Sequence, residues 1–296
     1  MNLSAPEGFF QVANRARFEL RGPDAIRYLN GQVSIDITRL SPGKARPACL
    51  LTPKGKLCAP LQIWCQSDSL IIEGPAELGE IIQARLERYI IADDVELLPI
   101  DLLQPIYHLL APAQTNAQEG PAGHARSDAH NLAINRIGIA ACDTSKKPGA
   151  IPEFSPGEIE LLRIIHGVPL WGCELTEDTL PPEARLEERA VDFNKGCYVG
   201  QETVSRLKSV GRVNKRLHGF LGASDLPVGV FLSLRPAGDA ATTAGQLTSH
   251  TRHFVMAQTV ALGYLNRQFE TLTRFEIADE TGRVLGEVER REFPIL

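Results

Sequence analysis

Between Asp192 and Arg212 the chain reads D-F-N-K-G-C-Y-V-G-Q-E-T-V-S-R-L-K-S-V-G-R. A thiol stands between two glycines here, with an amine two residues before it. Gly196 and Gly200 let the backbone turn tightly and approach a ligand closely. The stretch from Gly200 to Lys208 is expected to form a short helix, with Glu202 in its first turn, where a carboxylate suits the helix dipole. Gly211 is a natural stop. Cys197 then lies just before a helix N-terminus and close to Lys195, two features that favour thiolate over thiol. The chemistry would be that of an exposed, activated sulfur. The alternative is a small apolar side chain packed in a buried turn.

Other constellations carry less. His250-Thr-Arg-His253 has a ligand-like spacing, but no acid adjoins it, and a surface loop is expected rather than a metal site. Asp93-Asp94 before Val95 reads as a strand-entry turn rather than a metal pair. Cys49, Cys58 and Cys65 fall in a strand pattern that makes them core residues before cluster ligands. The chain contains no P-loop, G-x-G-x-x-G or G-x-S-x-G.

These groups need elements to position them. The chain has 296 residues, 43% hydrophobic and 23% charged, ordinary globular values that suit about two domains. Its net charge of −5 argues against a non-specific nucleic-acid binder, which would lean basic. The longest apolar stretch, residues 97–113, holds Asp101 and His108 and is broken by three prolines, so no membrane span is expected. The first residues lack a basic region followed by an apolar run, so no secretory signal is expected. Six cysteines without a C-x-x-C pair suit reduced thiols in a cytoplasm-like compartment.

Alternation predicts a strand over residues 16–20. A helix follows from an Asp24 cap, with Gly31 as its stop. A hairpin is predicted at 48–51 and 57–64 around Thr52-Pro53-Lys54-Gly55. Further strands are expected at 69–72, 95–98 and 106–110, with a helical period over 75–90. Residues 111–130 read as a loop whose composition suits local disorder. Ser155, Pro156 and Glu158 form a helix start, and Gly167 ends that helix. Residues 181–190 look helical. Six short apolar runs after residue 213, separated by Gly, Pro and Asp turns, argue for a small β-barrel.

The segment K-G-C-Y-V-G-Q-E, Lys195 to Glu202, resembles the signature of the YgfZ family, the folate-binding relatives of the glycine-cleavage T-protein. R-G-P-D-A-I-R-Y-L-N-G-Q-V-S-I-D (Arg21 to Asp36), L-L-T-P-K-G-K-L (Leu50 to Leu57), A-D-D-V-E-L (Ala92 to Leu97), R-I-I-H-G-V-P (Arg163 to Pro169) and A-L-G-Y-L (Ala261 to Leu265) agree in order. The resemblance implies an α+β fold: a ring of two interleaved α+β lobes plus a small C-terminal β-barrel. Residues 1–46 with 151–212 would make the first lobe, 47–150 the second, and 213–296 the barrel. It also implies a tetrahydrofolate pocket and a role in making, maintaining or repairing iron–sulfur clusters. The implied partners are a reduced folate and iron–sulfur client or assembly proteins, with neither nucleic acid nor membrane, for a monomer in the cytoplasm.

Carried over residue by residue, Cys197 would be the family's thiol. Lys195 would hold it as thiolate or meet an anion such as a folate glutamate tail. Tyr198, Gln201 and Glu202 would sit at the same loop, with Tyr198 stacking on a pterin or packing. Arg206 and Arg212 would bind carboxylates or lie on a solvated helix face. Two departures stand out. Ile165 occupies the place of a pterin-binding Glu in T-proteins, leaving His166 as a partial substitute. No Asp follows the strand at residues 70–73, where T-proteins carry one, and Glu80 is the nearest acid. Both oppose aminomethyl transfer of the T-protein type, which stays as an alternative beside a binding module that has lost folate. Whether the chain catalyses a chemical step is left open.

Overall fold

The computed structural model describes residues 8–12, 15–42, 44–100, 106–112, 126–127, 137–142, 152–209, 211–222, 225–239, 241–253 and 256–296. In chain order the elements are β1 (Gly8–Val12), β2 (Arg15–Arg21), α1 (Ala25–Gln32), β3 (Lys44–Leu51), β4 (Leu57–Cys65), β5 (Leu70–Pro75), α2 (Gly79–Glu87), β6 (Glu96–Pro99), β7 (Ile106–Pro112), β8 (Arg126–Ser127), β9 (Ile137–Cys142), α3 (Pro156–Ile165), α4 (Gln201–Ser209) and the strands β10 (Lys215–Gly222), β11 (Leu232–Pro236), β12 (Gly245–Arg252), β13 (Thr259–Asn266), β14 (Arg274–Ala278) and β15 (Val284–Arg291). The chain divides into two compact units.

The first unit holds Met1–Phe154, Glu177–Pro181 and Leu186–Val210. Its main sheet has six strands in the order β6-β2-β5-β4-β3-β8, antiparallel except for the β3–β8 pair. A smaller sheet has the order β1-β7-β9. Side-chain alternation gives the large sheet two unlike faces. One carries Leu50, Leu61, Ile63 and Ile72, and there Ile82 of α2 approaches so closely that only Gly74 fits beneath it. On the other face the register lines up Pro47, Gln62, Glu73 and Arg17 in one row across four strands. This second face is polar yet buried: Gln62, Glu73 and Arg17 are all nearly inaccessible.

The second unit holds Ser155–Thr176, Pro182–Arg185 and Gly211–Leu296. The six expected runs form six strands, closed as β10-β13-β12-β11-β14-β15. Phe220, Leu232, Leu234, Leu247, Leu265, Phe275 and Ile277 fill the interior. Helix α3 packs on β12 and β13. Ser155 accepts from Glu158 N while the Glu158 side chain accepts from Ser155 N, the reciprocal cap its sequence calls for. Gly167, with φ of 64°, ends it.

The expected α+β fold with a C-terminal barrel is therefore observed. Several local expectations are corrected. Gly31 does not stop α1, which runs on to Gln32. The helical period over 75–90 resolves into a 3-10 turn at Ala76–Leu78 followed by α2. Residues 181–190 form turns and one 3-10 turn, Leu186–Glu188, because Arg185 adopts a left-handed φ of 57° that no α-helix accommodates. His250 lies within β12, and His253 is buried just beyond it rather than in a surface loop. Strand β1 was not anticipated. Most of residues 111–130 lie outside the described residues, and β8 falls within that expected loop. Cys49 and Cys65 are buried, whereas Cys58 is half-buried, so the core expectation holds for two of the three.

Candidate functional site around Cys197

The segment carrying Cys197 is tied by its main chain and side chains to residues 30–37, which follow α1. Asp192 N donates to Ser34 O at 2.9 Å, and Val199 N donates to Gly31 O at 3.3 Å. The Ser34 hydroxyl accepts from Cys49 N at 2.8 Å. The Asp192 carboxylate takes a two-pronged bond from Arg46, Nη1 at 2.7 Å and Nη2 at 2.9 Å. It also accepts from Asp36 N at 2.7 Å. Burial pushes the Asp192 carboxyl up, but Arg46 and the Asp36 N–H outweigh it and hold the group below the usual carboxylate range.

Lys195 completes this tie. Its ammonium donates to Asn30 O at 2.6 Å, Val33 O at 2.7 Å and Ile35 O at 2.7 Å. These carbonyls lie where α1 ends and the chain straightens, so no helix N–H serves them. A cation also suits the negative end of a helix dipole. Burial lowers the Lys195 pKa to about 8, against the opposite pull of Asp36 and Asp192. Three donated bonds require the charged form, since a neutral amine has only two hydrogens. The expectation that Lys195 faces the Cys197 sulfur or a folate tail is therefore corrected: its hydrogens are spent on the main chain, and it is a positioning residue.

Tyr198, on the far side of the thiol, is also buried, 7% exposed. Its ring lies 5.0 Å from Lys195 Nζ, within cation–π range. Burial, then Cys49 and Asp192, raise its pKa and keep it a neutral phenol. Its hydroxyl has no hydrogen-bond partner among the described residues. Cys197 itself is exposed and free of any disulfide. A Cβ placed on Gly196 would meet nothing within 4 Å, so the space beside the thiol is open. Two anchored side chains thus flank an exposed sulfur.

The next glycine serves packing. Gly200 has φ of +85°, and a Cβ there would lie 2.5 Å from Thr52 O. Gly55, with φ of +78°, would put a Cβ 2.7 Å from Thr203 Cβ. The β3–β4 turn therefore rests directly on the start of α4, and L-L-T-P-K-G-K-L touches K-G-C-Y-V-G-Q-E. On α4, Val204 is buried and Gln201 half-buried, while Glu202 and Arg206 are exposed. Lys195, Cys197, Tyr198 and Gln201 come together in one segment of the first unit. Glu202 and Arg206 lie on the outer surface of the adjoining helix. Arg212 is exposed and belongs to the second unit.

The polar sheet face contributes groups that sequence reasoning missed. Gln62 Nε2 and Trp64 Nε1 are buried donors with no hydrogen-bond partner among the described residues. They lie two apart on β4, so they share a face. Cys49, whose buried thiol is pushed up to about 12, lies opposite Pro60 on that same face. Beside Gln62, fully buried Glu73 accepts from Arg15 at 2.9 Å and lies 3.3 Å from His108 Nε2. Burial pushes Glu73 up, but His108 and Arg15 overcome it and bring it down to about 2. A glutamine and a tryptophan in a strand look like ordinary filling, so only the register shows them as a row.

In the second unit, Ile165 and His166 are both buried at the end of α3. Arg163 bonds Glu160, Val168 O and Glu174. Glu174, unmarked in the sequence reading, is 2% exposed. It accepts from Arg163 at 2.9 Å, Leu170 N at 3.0 Å, Thr248 at 2.7 Å and Ser249 at 2.6 Å. Four donors to one buried carboxylate make it a structural tie between α3 and β12. Glu80, the nearest acid to the T-protein Asp, is exposed in the first turn of α2.

No family model matches the chain. A mitochondrial iron–sulfur cluster assembly factor IBA57 homolog of Phaeosphaeria nodorum is 26% identical over 77% of this chain and 60% of its own length. The tRNA-modifying protein YgfZ of Aliivibrio fischeri is 26% identical over 87% of this chain and 85% of its own. An aminomethyltransferase of a Nostoc species is 24% identical over 72% and 65%. The chain spans a little over half the length of the fungal IBA57 homologs it matches. The crystal structure of glycine cleavage system aminomethyltransferase T from Bartonella henselae superposes with a TM-score of 0.76 and 16% identity, covering 98% of this chain and 86% of that one, which establishes the fold. No helix among the described residues is long and apolar enough to cross a membrane. In its sequence and in the signature segment at Cys197 the chain is similar to YgfZ, IBA57 and aminomethyltransferase proteins, and it shares the fold of the last.

Proposed function

We propose that this chain is a tetrahydrofolate-binding accessory protein for the assembly, maintenance or repair of iron–sulfur clusters, with Cys197 as its working thiol. It would act as a monomer in a reducing, cytoplasm-like compartment on iron–sulfur client or assembly proteins. The observation that carries the reading is the presentation of Cys197: exposed, beside open space, between two side chains that are buried and anchored. The names of the IBA57 and YgfZ relatives support the cluster role.

The residues present fit a reduced pterin in part. Gln62 Nε2 and Trp64 Nε1 are buried donors in want of acceptors, and the Tyr198 hydroxyl gives or takes a proton bond. A pterin presents a carbonyl and ring nitrogens that accept such bonds. These three residues would hold it, and Gln62 Oε1 and Tyr198 Oη would take its amino and N–H donors in place of the carboxylate that Ile165 lacks. Bound folate would supply a carrier for one-carbon units. Aminomethyl transfer is the weaker reading, since Glu80 is exposed and Ile165 accepts no hydrogen bond.

Replacing Cys197 by Ala in the native host, then assaying a cluster-dependent enzyme, tests the thiol. Activity should fall with protein level unchanged. Full client activity would overturn the role of Cys197. Equilibrium dialysis with tetrahydrofolate tests the pocket separately: wild type should bind in the micromolar range and Trp64→Phe more weakly, and no binding up to millimolar folate would leave the non-binding module instead.

A further inference from the structure

The sequence after Cys197 changes sign. The whole chain has a net charge of −5, yet after Glu202 no acid follows until Asp225, and α4 carries Arg206 and Lys208 in that stretch. Helix α4 buries Val204 and half-buries Leu207, which leaves Arg206 and Lys208 exposed. Helical rise puts them about 8 and 11 Å along the axis from Gln201. Lys208 does not trail into solvent: its ammonium lies 3.6 Å from the centre of the Phe193 ring, in the segment that leads to Cys197. The β3–β4 turn adds a third cation. Gly200 and Gly55 pack that turn on the start of α4, so exposed Lys54 stands beside the residues that follow the thiol.

The acids of this neighbourhood are already answered. Asp192 holds Arg46 at 2.7 Å, Asp36 holds Arg39 at 3.0 Å and Asp178 holds Lys56 at 2.6 Å. Lys54, Arg206 and Lys208 make no ion pair among the described residues. Against these three cations stands the exposed carboxylate of Glu202. Contact with an aromatic ring leaves the Lys208 ammonium charged, and cations spaced around one point add their fields there. Open space beside Gly196 gives a partner room to reach the sulfur through this field. Lys208 already covers a face of Phe193, and Tyr198 is buried, so neither ring is offered for a base to stack on. That favours a chain bearing carboxylates over a nucleic acid.

We propose that this surface docks an acidic segment of the protein on which the thiol acts, its carboxylates meeting Lys54, Arg206 and Lys208 while Cys197 faces it. The proposal rests on the reading of Cys197 as the working thiol and names the chemistry of its partner.

Disulfide exchange reads the field directly. Two peptides, each with one central cysteine capped as its pyridyl disulfide, carry glutamates on both sides in one arm and glutamines in the other. The Cys197 thiolate attacks the peptide sulfur and expels pyridinethione, and mass spectrometry of the fragment carrying Cys197 gives the rate at that residue alone. At about 10 mM salt the glutamate peptide should react about tenfold faster, and the advantage should shrink below about twofold at ~0.5 M. Arg206→Gln with Lys208→Gln should cut the low-salt advantage to about threefold or less, and adding Lys54→Gln should abolish it. Arg21→Gln removes one charge at the far end of the main sheet, where Leu20, Leu70 and Cys65 form a row remote from the β3–β4 turn, and should leave the advantage unchanged. Equal rates for the two peptides at low salt overturn the proposal, as does an equal fall in Arg21→Gln. Binding of a single-stranded oligouridylate with a Kd of about 10 µM or tighter, lost in the same variants, overturns it in favour of nucleic acid. Unchanged client activity of Cys197→Ala in the host would sink the thiol reading instead, and the exchange rates would stand.

Discussion

Replacing Lys195 by Met separates a positioning role from a direct role at the sulfur. Methionine keeps much of the length and apolar stem but donates no hydrogen bond. The carbonyls of Val33 and Ile35 are then left buried without a donor, and that of Asn30 half-buried. An orphaned buried acceptor costs ~1–3 kcal/mol, so three amount to about 3–7 kcal/mol. Removing a desolvated ammonium returns part of that. A net loss of ~2–4 kcal/mol follows, less than the ~5–15 kcal/mol by which folded chains are held, so the variant still folds. Trp64 lies in the first unit and Trp171 in the second, so a Trp171→Phe background makes Trp64 fluorescence the reporter. With a urea slope of ~2–3 kcal/mol/M, the midpoint should drop by about 1 M. A drop below ~0.3 M would refute the clamp. Were Lys195 acting on the sulfur instead, the variant would unfold at wild-type urea and change only the rate of Cys197 alkylation.

Acid should weaken the first unit through Glu73. Its carboxyl titrates at about 2 when folded and at ~4.3 when unfolded, so the unfolded chain takes the proton first as pH falls. The stabilisation, ~3 kcal/mol, is whole above about pH 5 and disappears between ~4.5 and 2. Urea melts across that range should show the loss, and Glu73→Gln should flatten it; an unchanged acid limb in that variant would exclude Glu73 as its source. Gly200→Ala, strained in φ and pressed against Thr52 O, should cost ~2–4 kcal/mol, whereas Gly196→Ala, in open space, should cost under ~1 kcal/mol by the same melts. Equal costs would mean that the turn does not rest on α4. Glu174→Gln should destabilise the barrel unit by ~3–5 kcal/mol, read by Trp171 fluorescence in a Trp64→Phe background, because it breaks a buried ion pair with Arg163.

Local chemistry was legible wherever its partners were close in sequence. The Ser155–Glu158 cap spans three residues and folded as read. The barrel strands announced themselves by alternation and by turns at regular intervals. Gly31 misled because glycine after an apolar period usually ends a helix, yet here one more residue stays helical and Gln32 accepts from Arg85 of α2 at 3.1 Å. The charges of residues 181–190 have a helical look, but the left-handed backbone at Arg185 has no signature in a residue type that rarely adopts it.

Lys195 shows what spacing cannot reveal. Two residues from a cysteine, a lysine invites the reading of an electrostatic partner for the thiolate. Its acceptors lie about 160 residues upstream and are main-chain oxygens, which no side-chain pattern marks. The same segment explains why the reading still found the right loop. In an extended segment, alternate side chains take opposite sides, and Lys195 and Cys197 would share one. The turn at Phe193–Asn194 and the bend at Lys195 break that order: Lys195 and Tyr198 are both drawn inward, while Cys197 is left outside. Gly196 has open space where a Cβ would stand, so the sulfur is kept outside by the anchoring of its neighbours rather than by the glycine. Gly196→Ala should therefore leave the thiol as open to alkylation as in the wild type, and a closed thiol in that variant would refute the argument.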